Sequence, residues 1–438
     1  MFENKSLLDN FWQLEDISER LILSLCQKNN ITPLLAKLLY IRKIDTDSVK
    51  NFLKPDLKTN LPNPFLLKDM KVSIERVIKA IKLNQKIGII SDYDVDGATS
   101  ASILFKFLNS FGNKIILKTP NRLFEGYGPN LRIMDELLED KVDIIFTLDC
   151  GTSSFNILDH DKYSKIDVIV IDHHISDLKL PNVFSIINPN RYDENSEFTQ
   201  MAAVGVTFLF LMGLRKKLRE QLFYKKKLHE PNLLYYLDLV ALGTVCDVVK
   251  LDNFNRSFVK IGLQVIKERK HKGITQLIDN SNIRSAPNSR DLGFVVGPQL
   301  NAASRLDDSA LPTKLLISED IGTIESISRK LILLNEKRKL IEKIVFEDAL
   351  KQAEKQKNHN FILVHGNNWH NGVLGIVASK LINKFYKPTI VISFTNNIGI
   401  GSARSIEQID LISKEDSGSF LSRTAIIKDL FPSSKHAT

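Results

Sequence analysis

Three short stretches of the chain carry side chains suited to holding divalent cations. They are Ser91-Asp92-Tyr93-Asp94-Val95-Asp96-Gly97, Asp149-Cys150-Gly151-Thr152 and Asp172-His173-His174. Two carboxylates about 4 Å apart repel by roughly 4 kcal/mol at an effective dielectric of 20. Gathering four or five without counter-ions would consume much of the roughly 5–15 kcal/mol that stabilises a domain. Cations remove that cost. Carboxylate oxygens with one or two imidazoles suit Mn²⁺ or Mg²⁺ better than a thiolate-seeking metal. Taken alone, the first stretch could be a calcium loop or a turn, but it lacks the glutamate that an EF-hand loop needs after its glycine.

Elements predicted around these acids explain how they could meet. Lys86–Ser91, Lys114–Lys118, Val142–Leu148 and Asp167–Ile171 are short β-branched runs between amphipathic helices. That alternation predicts an α/β fold on a buried parallel sheet. The first, third and fourth runs lead straight into the acids, with a helix expected near Thr99. In open parallel sheets, ligands bind beyond the carboxyl ends of the strands. Ile324, Ile327, Leu331, Leu334, Ile341 and Val345 recur at helical spacing, so 319–357 is expected as a connector helix. A smaller α/β domain over 358–438 would follow, and a helical region over 1–82 would precede the main domain at 83–318.

Composition narrows the class. Hydrophobic residues at 43% and charged residues at 25% suit a soluble globular chain, and no apolar run reaches the roughly 18 residues of a membrane span. The start of the chain shows no signal-peptide pattern. Cys26, Cys150 and Cys246 are too few and scattered for a disulfide framework or a zinc site, which fits a cytoplasmic location. A net charge of +9 suits a polyanionic partner without requiring one. The densest basic stretch, 213–230, reads first as a solvated helix face.

The motifs resemble the DHH phosphoesterase superfamily and, within it, the RecJ single-strand-specific exonucleases. SDYDVDGATSAS, TLDCGTSS, VIDHHISDLKLPNVFSIINPNR and LVALGTVCDVVKLDNFNR are similar to its four ordered motifs. PNRLFEGYGPN, GFVVGPQLNAASRLDD, WHNGVLGIVASKL and GIGSARSI extend the resemblance from about residue 10 to 406. It implies that Asp94, Asp96, Asp149, His173 and Asp247 ligate two ions, Mn²⁺ or Mg²⁺, that share Asp149. Asp92 and Asp172 would support or complete that shell, and His174 would contact the scissile phosphate or protonate the leaving group. Arg122 and Tyr127 would hold nucleotide phosphate and base, while Arg305, Ser402 and Arg404 would grip the terminal phosphate. The implied activity is 5′→3′ hydrolysis of single-stranded DNA to mononucleotides, in DNA repair or recombination. A helicase or single-strand-binding protein would be the candidate protein partner, and no membrane is involved.

The chain departs from the family at Gln299, where an arginine is usual, and at Ser304, where a glycine is usual. Residues 407–438 show no glycine- and histidine-rich GGH motif and leave no room for an OB-fold. Weak or distributive digestion is expected from that difference. Two other readings remain open at this point: a nano-RNase or cyclic-dinucleotide phosphodiesterase, and a catalytically impaired DNA-binding homologue.

Overall fold

Along the first strands the apolar residues alternate between two cores, and this alternation defines the main sheet. In the computed structural model, which describes residues 16–57, 61–225, 230–407 and 409, strand β1 spans Ile87–Ser91. β2 spans Ile115–Lys118, β3 Ile144–Leu148, β4 Asp167–Ile171 and β5 Ser185–Ile187. All pairings are parallel, in the order β2-β1-β3-β4-β5. Ile87, Ile89, Ile144, Phe146, Leu148, Ile169 and Ile171 face one apolar cluster. Ile90, Ile145, Val168 and Val170 face the other. Period-two placement on a sheet covered on both faces makes the strands read as unbroken apolar runs.

The helices that matter for the site follow in chain order. α1 (Glu19–Asn29), α2 (Pro33–Ile41) and α3 (Val49–Leu53) share a small core of their own. α4 (Met70–Lys82) packs instead in the main cluster of the sheet, through Met70, Ile74 and Val77. α5 (Val95–Asn109) leaves β1, and α6 (Leu131–Glu139) and α7 (Phe155–Leu158) follow β2 and β3. Then come α8 (Ala203–Glu220), α9 (Leu237–Cys246), α10 (Asn253–Lys267) and α11 (Lys272–Asp279). α12 (Ser289–Asp291) runs into a π-helical turn over Leu292–Val296, which continues as α13 (Gly297–Leu306). α14 (Leu311–Ile317) precedes the connector. In the basic stretch, Arg215 and Arg219 pair with Glu230.

The expected connector is α15, Ile321–Glu354, three residues shorter at its end than predicted. Its 34 residues span about 50 Å at 1.5 Å per residue. Ile324, Ile327, Leu331 and Leu334 are buried in the main core, whereas Val345, Ala349 and Ala353 are buried in a second core. One apolar stripe therefore serves two domains. The second domain holds β6 (Ile362–Asn367), α16 (Asn371–Phe385), β7 (Thr389–Thr395) and β8 (Ile398–Arg404). β7 pairs parallel with β6 and antiparallel with β8. The α/β class and the two sheets joined by a long helix are as the sequence predicts. Residues 408 and 410–438, on which the expected loss of the GGH motif and OB-fold falls, lie outside the described residues, as do residues 1–15. Among the described residues, no helix is long and apolar enough to cross a membrane.

Candidate metal centre

Register brings the acids together. Ser91 pairs with Leu148 and Leu148 with Ile171, so the next residues, Asp92, Asp149 and Asp172, end neighbouring strands side by side. Their amides continue the ladder onto Leu148, Ile171 and Ile187. Strands in a sheet lie about 4.8 Å apart, which sets the spacing of the three aspartates. They stand where the strand order reverses between β1 and β3, the usual place for a ligand in such sheets. Asp149 has φ 61°, and the next turn places Gly151 at φ 112°, where a Cβ would lie 2.5 Å from Thr147 Oγ1. That turn requires glycine.

The helix after β1 starts at Val95, not near Thr99, because Asp94 caps it: Asp94 Oδ1 accepts from the amides of Asp96 (2.9 Å) and Gly97 (3.1 Å). Gly97 lies within this helix. It is glycine for proximity, since a Cβ there would sit 2.5 Å from the carbonyl oxygen of Asp92. Asp96 is buried and its two oxygens accept from the amides of Ala203 (2.6 Å) and Val204 (2.8 Å) at the start of α8. The positive end of that helix favours a carboxylate there. Asp247, the C-cap of α9, arrives from the far side.

His173 sits among these acids. Its Nε2 is 3.3 Å from Asp149 Oδ1, 3.6 Å from Asp247 Oδ2 and 3.8 Å from Asp96 Oδ2. Burial, then the neighbouring His174, pushes its pKa down, and the backbone of Met201 hydrogen-bonds the ring. The neutral imidazole therefore turns an unprotonated nitrogen towards carboxylate oxygens. Asp92 Oδ1, Asp149 Oδ1 and His173 Nε2 are all buried without a hydrogen-bond partner. Acceptors facing acceptors in a buried site are costly, and a cation between them reconciles the arrangement. The donor set fits: Asp92/Asp94/Asp149, Asp96/His173/Asp247 and Asp149/His173/His174 each place their ligand atoms within 4.8 Å of one another. Asp92, expected to support or complete the shell, stands among the oxygens that could ligate. With no cation counted, burial and then mutual repulsion push Asp96 and Asp149 well up, Asp92 to about 8 and Asp247 to about 7.

Asp172 joins none of these groups. Its Oδ1 accepts from the His173 amide (2.8 Å) and from His174 Nδ1 (2.8 Å), and its Oδ2 accepts from the Thr152 amide (3.1 Å). Burial alone would raise Asp172, but His174 and Thr152 hold it at about 2. Burial would likewise lower His174, yet the Asp172 hydrogen bond raises it to about 9. The pair is a buried carboxylate holding an imidazolium. Tyr127 is drawn into it: its hydroxyl donates to the carbonyl of Asp149 (2.6 Å) and lies 3.0 Å from His174 Nδ1. Its oxygen thus positions His174, while the ring stays partly exposed.

The remaining expected residues converge at the junction of the domains. Arg122 stacks on Tyr93 at 4.8 Å. Arg305 donates from Nη1 to the carbonyl of Gly372 (2.9 Å), at the start of α16. A Cβ on Gly372 would lie 2.2 Å from the Arg305 carbonyl oxygen, and one on Gly375 would lie 3.1 Å from Ser402 Oγ and 3.3 Å from Arg404 Nη2. Residues three apart share a helix face, so Arg305, Ser402 and Arg404 meet the same side of α16. Burial, then Arg122 and Arg338, pushes the Arg305 guanidinium down to about 10. Arg338 of α15 was not singled out from the sequence; its side chain bonds Glu342 and Asn335. The signal was an i,i+4 charge pair, indistinguishable there from a solvated face. Gln299 is buried and accepts from Ser281 (3.0 Å), so it packs inward rather than replacing an arginine at a ligand.

Residues 86–244 match the family model described as DHH family, N-terminal domain, and residues 358–413 match that of the DHHA1 domain. The chain is 35% identical to the single-stranded-DNA-specific exonuclease RecJ of Haemophilus influenzae, over 86% of this chain and 67% of that protein. The chain belongs to the RecJ group of the DHH family. The RecJ of Bacillus subtilis is 33% identical over 91% of this chain and 50% of its own length. The chain thus spans half to two thirds of these curated relatives. Among solved structures, RecJ of Thermus thermophilus in complex with Mn²⁺ superposes with a TM-score of 0.73 at 26% identity, covering 90% of this chain and 55% of that one. The same protein in complex with Mg²⁺ gives 0.68 at 25% identity, with 90% and 52% covered.

Proposed function

We propose that this chain is a metal-dependent exonuclease that hydrolyses single-stranded DNA from its 5′ end to mononucleotides. The observation that carries the reading is the trio of buried, unpartnered atoms, Asp92 Oδ1, Asp149 Oδ1 and His173 Nε2, in a RecJ-group chain. Asp94, Asp96, Asp149, His173 and Asp247, with Asp92, would hold two Mn²⁺ or Mg²⁺ ions, Asp149 being common to two of the ligand groups. Bound there, the ions supply Lewis-acid polarisation of phosphoryl oxygens and a lowered pKa for water.

The other roles belong to the protein's own groups. Asp172 keeps His174 protonated and oriented by its bond to Nδ1, which leaves Nε2 to donate to a phosphoryl oxygen or to the leaving oxygen. The Tyr127 hydroxyl holds the ring at that same Nδ1. Arg122, Arg305, Ser402 and Arg404 would receive the terminal phosphate, guanidinium forks being suited to its oxygens. We assign the first task to residues 83–318 and the second in part to 358–438, with 319–357 holding them in register.

The test is Mn²⁺-dependent release of mononucleotides from 20-nucleotide single strands labelled at either end, with Asp149→Ala as control. Label release from the 5′ end first, abolished by EDTA and by the substitution, is the expected result. Faster turnover of dinucleotides than of the long strands would replace this reading with a short-substrate phosphodiesterase.

A further inference from the structure

The helix that carries Arg305 shows a non-buried stripe that, Arg305 apart, the roles above do not use. From Leu292 to Arg305 the positions Gly293, Phe294, Val295, Pro298, Asn301 and Arg305 are non-buried, while Leu292, Val296, Gly297, Gln299, Leu300 and Ala302 to Ser304 are buried. Among them Phe294, Pro298, Asn301 and Arg305, at spacings of four, three and four residues, share one face. Phe294, at its start, is 79% exposed and stands on the π-helical turn. π-Turns inside helices recur at functional sites. Asn301 Oδ1, in the middle, is buried without a partner. Arg305, at its end, meets the second domain.

The buried side of the π-helical turn packs against the end of α9, at the residue before Asp247. Cys246 Sγ contacts the Leu292 carbonyl oxygen at 3.6 Å, and a Cβ on Gly297 would lie 2.5 Å from that sulfur. The chain then passes Asp247 to Val248, which is 85% exposed at φ 61°. A β-branched residue at positive φ is a true outlier, and such strain persists at sites where it serves a function. An apolar side chain held at a conformational cost in solvent, one residue from a metal-ligand candidate, needs a reason.

We propose that Phe294, with Val248 beside the metal centre, forms a nucleobase-stacking step on a track that runs along this face towards Arg305. The inference rests on the exonuclease reading and specifies how that site would hold its strand. Arg305 would lie at the terminal-phosphate end. Phe294, eleven residues away and so about 16 Å along the helix, would lie under bases beyond the scissile bond, with the Asn301 amide between them. Stacking on an aromatic face tolerates any base, so the step would favour unpaired strands without reading their sequence.

The experiment uses the full chain with Mn²⁺ and oligothymidylates of 2, 6 and 20 nucleotides. Binding is measured in parallel in EDTA by anisotropy of a labelled 20-mer. Phe294→Ala is expected to raise KM for the 20-mer roughly 5- to 150-fold, the range of base–aromatic stacking, with a penalty that grows with length and is rescued by Phe294→Trp. Val248→Asn, at ease with positive φ, is expected to raise Tm and yet weaken binding of the 20-mer, a pairing of signs that misfolding cannot produce. A penalty equal at every length, or equal affinity of Phe294→Ala and wild type for the 20-mer, overturns the proposal. Absence of wild-type hydrolysis with Phe294-dependent binding intact would overturn the exonuclease reading alone.

Discussion

Replacing Asp149 with Asn should stabilise the metal-depleted protein while destroying its response to Mn²⁺. Asp149 Oδ1 is buried without a partner, and its ligand atom lies within 4.8 Å of those of Asp92 and Asp94. An ionised pair at that spacing repels by about 3.5 kcal/mol at an effective dielectric of 20. Asp92 is pushed up to about 8 and Asp149 well up, so both are mostly neutral near pH 7.5; the wild type escapes the repulsion by holding protons, at a cost on the order of 2 kcal/mol that Asn avoids. The amide also brings a donor for the facing acceptors, and Asn accepts the positive φ of position 149 readily. In the wild type, Mn²⁺ at a hundred times its Kd adds about 2.7 kcal/mol. The stability order should therefore invert: variant above wild type in EDTA, wild type above variant in Mn²⁺. Scanning calorimetry in EDTA and in 1 mM MnCl₂ at pH 7.5 reads both signs. A variant that melts below wild type in EDTA, or that gains as much from Mn²⁺, would falsify the shared cation site.

Three further outcomes follow from single contacts. Gly97→Ala places a Cβ 2.5 Å from the Asp92 carbonyl, so about 1–3 kcal/mol of overpacking should appear in urea denaturation together with a smaller Mn²⁺-induced rise in Tm; unchanged values in both would show that α5 can yield there. Gly372→Ala intrudes on the Arg305 carbonyl, so affinity for 5′-phosphorylated strands should fall while the Mn²⁺ stabilisation stays, and titrations of phosphorylated and unphosphorylated 20-mers check this. His271 is partly buried with its Nε2 shut off from solvent, and this burial pushes it down to about 3. Its contribution is therefore complete above the unfolded value near 6.5 and is lost as pH falls towards 3, about 2 kcal/mol by pH 5. His271→Asn, which retains a side-chain acceptor for the Ile274 amide, should show a correspondingly shallower acid slope in chemical denaturation.

Local pattern was enough for the parallel strands, the long connector and the placement of acids at three strand ends, because burial on two faces and one-sided helical packing both leave periodic marks. It misplaced the start of α5, since capping by Asp94 depends on the side-chain geometry of one turn. Tyr127 was expected to hold the nucleotide, and nothing local foretold that its hydroxyl would also meet Asp149 and His174, 22 and 47 residues away in sequence. Arg338 left only an ordinary i,i+4 mark, and the choice between supporting and completing the shell stayed open for Asp92 because nothing in its neighbours shows which oxygen will be left without a donor.

The amino-acid order by itself determined which chemistry is possible: the carboxylates and imidazoles, the strands that carry them and their common exit from one sheet edge all follow from spacing. Only the tertiary structure decided the arrangement of that chemistry. Strand register aligned Asp92, Asp149 and Asp172, α8 claimed the carboxylate of Asp96, α9 delivered Asp247 opposite His173, and α16 came within contact of Arg305. Those are contacts between segments tens to hundreds of residues apart, fixed by how side chains fill shared cores, and such packing leaves no periodic trace in any one segment.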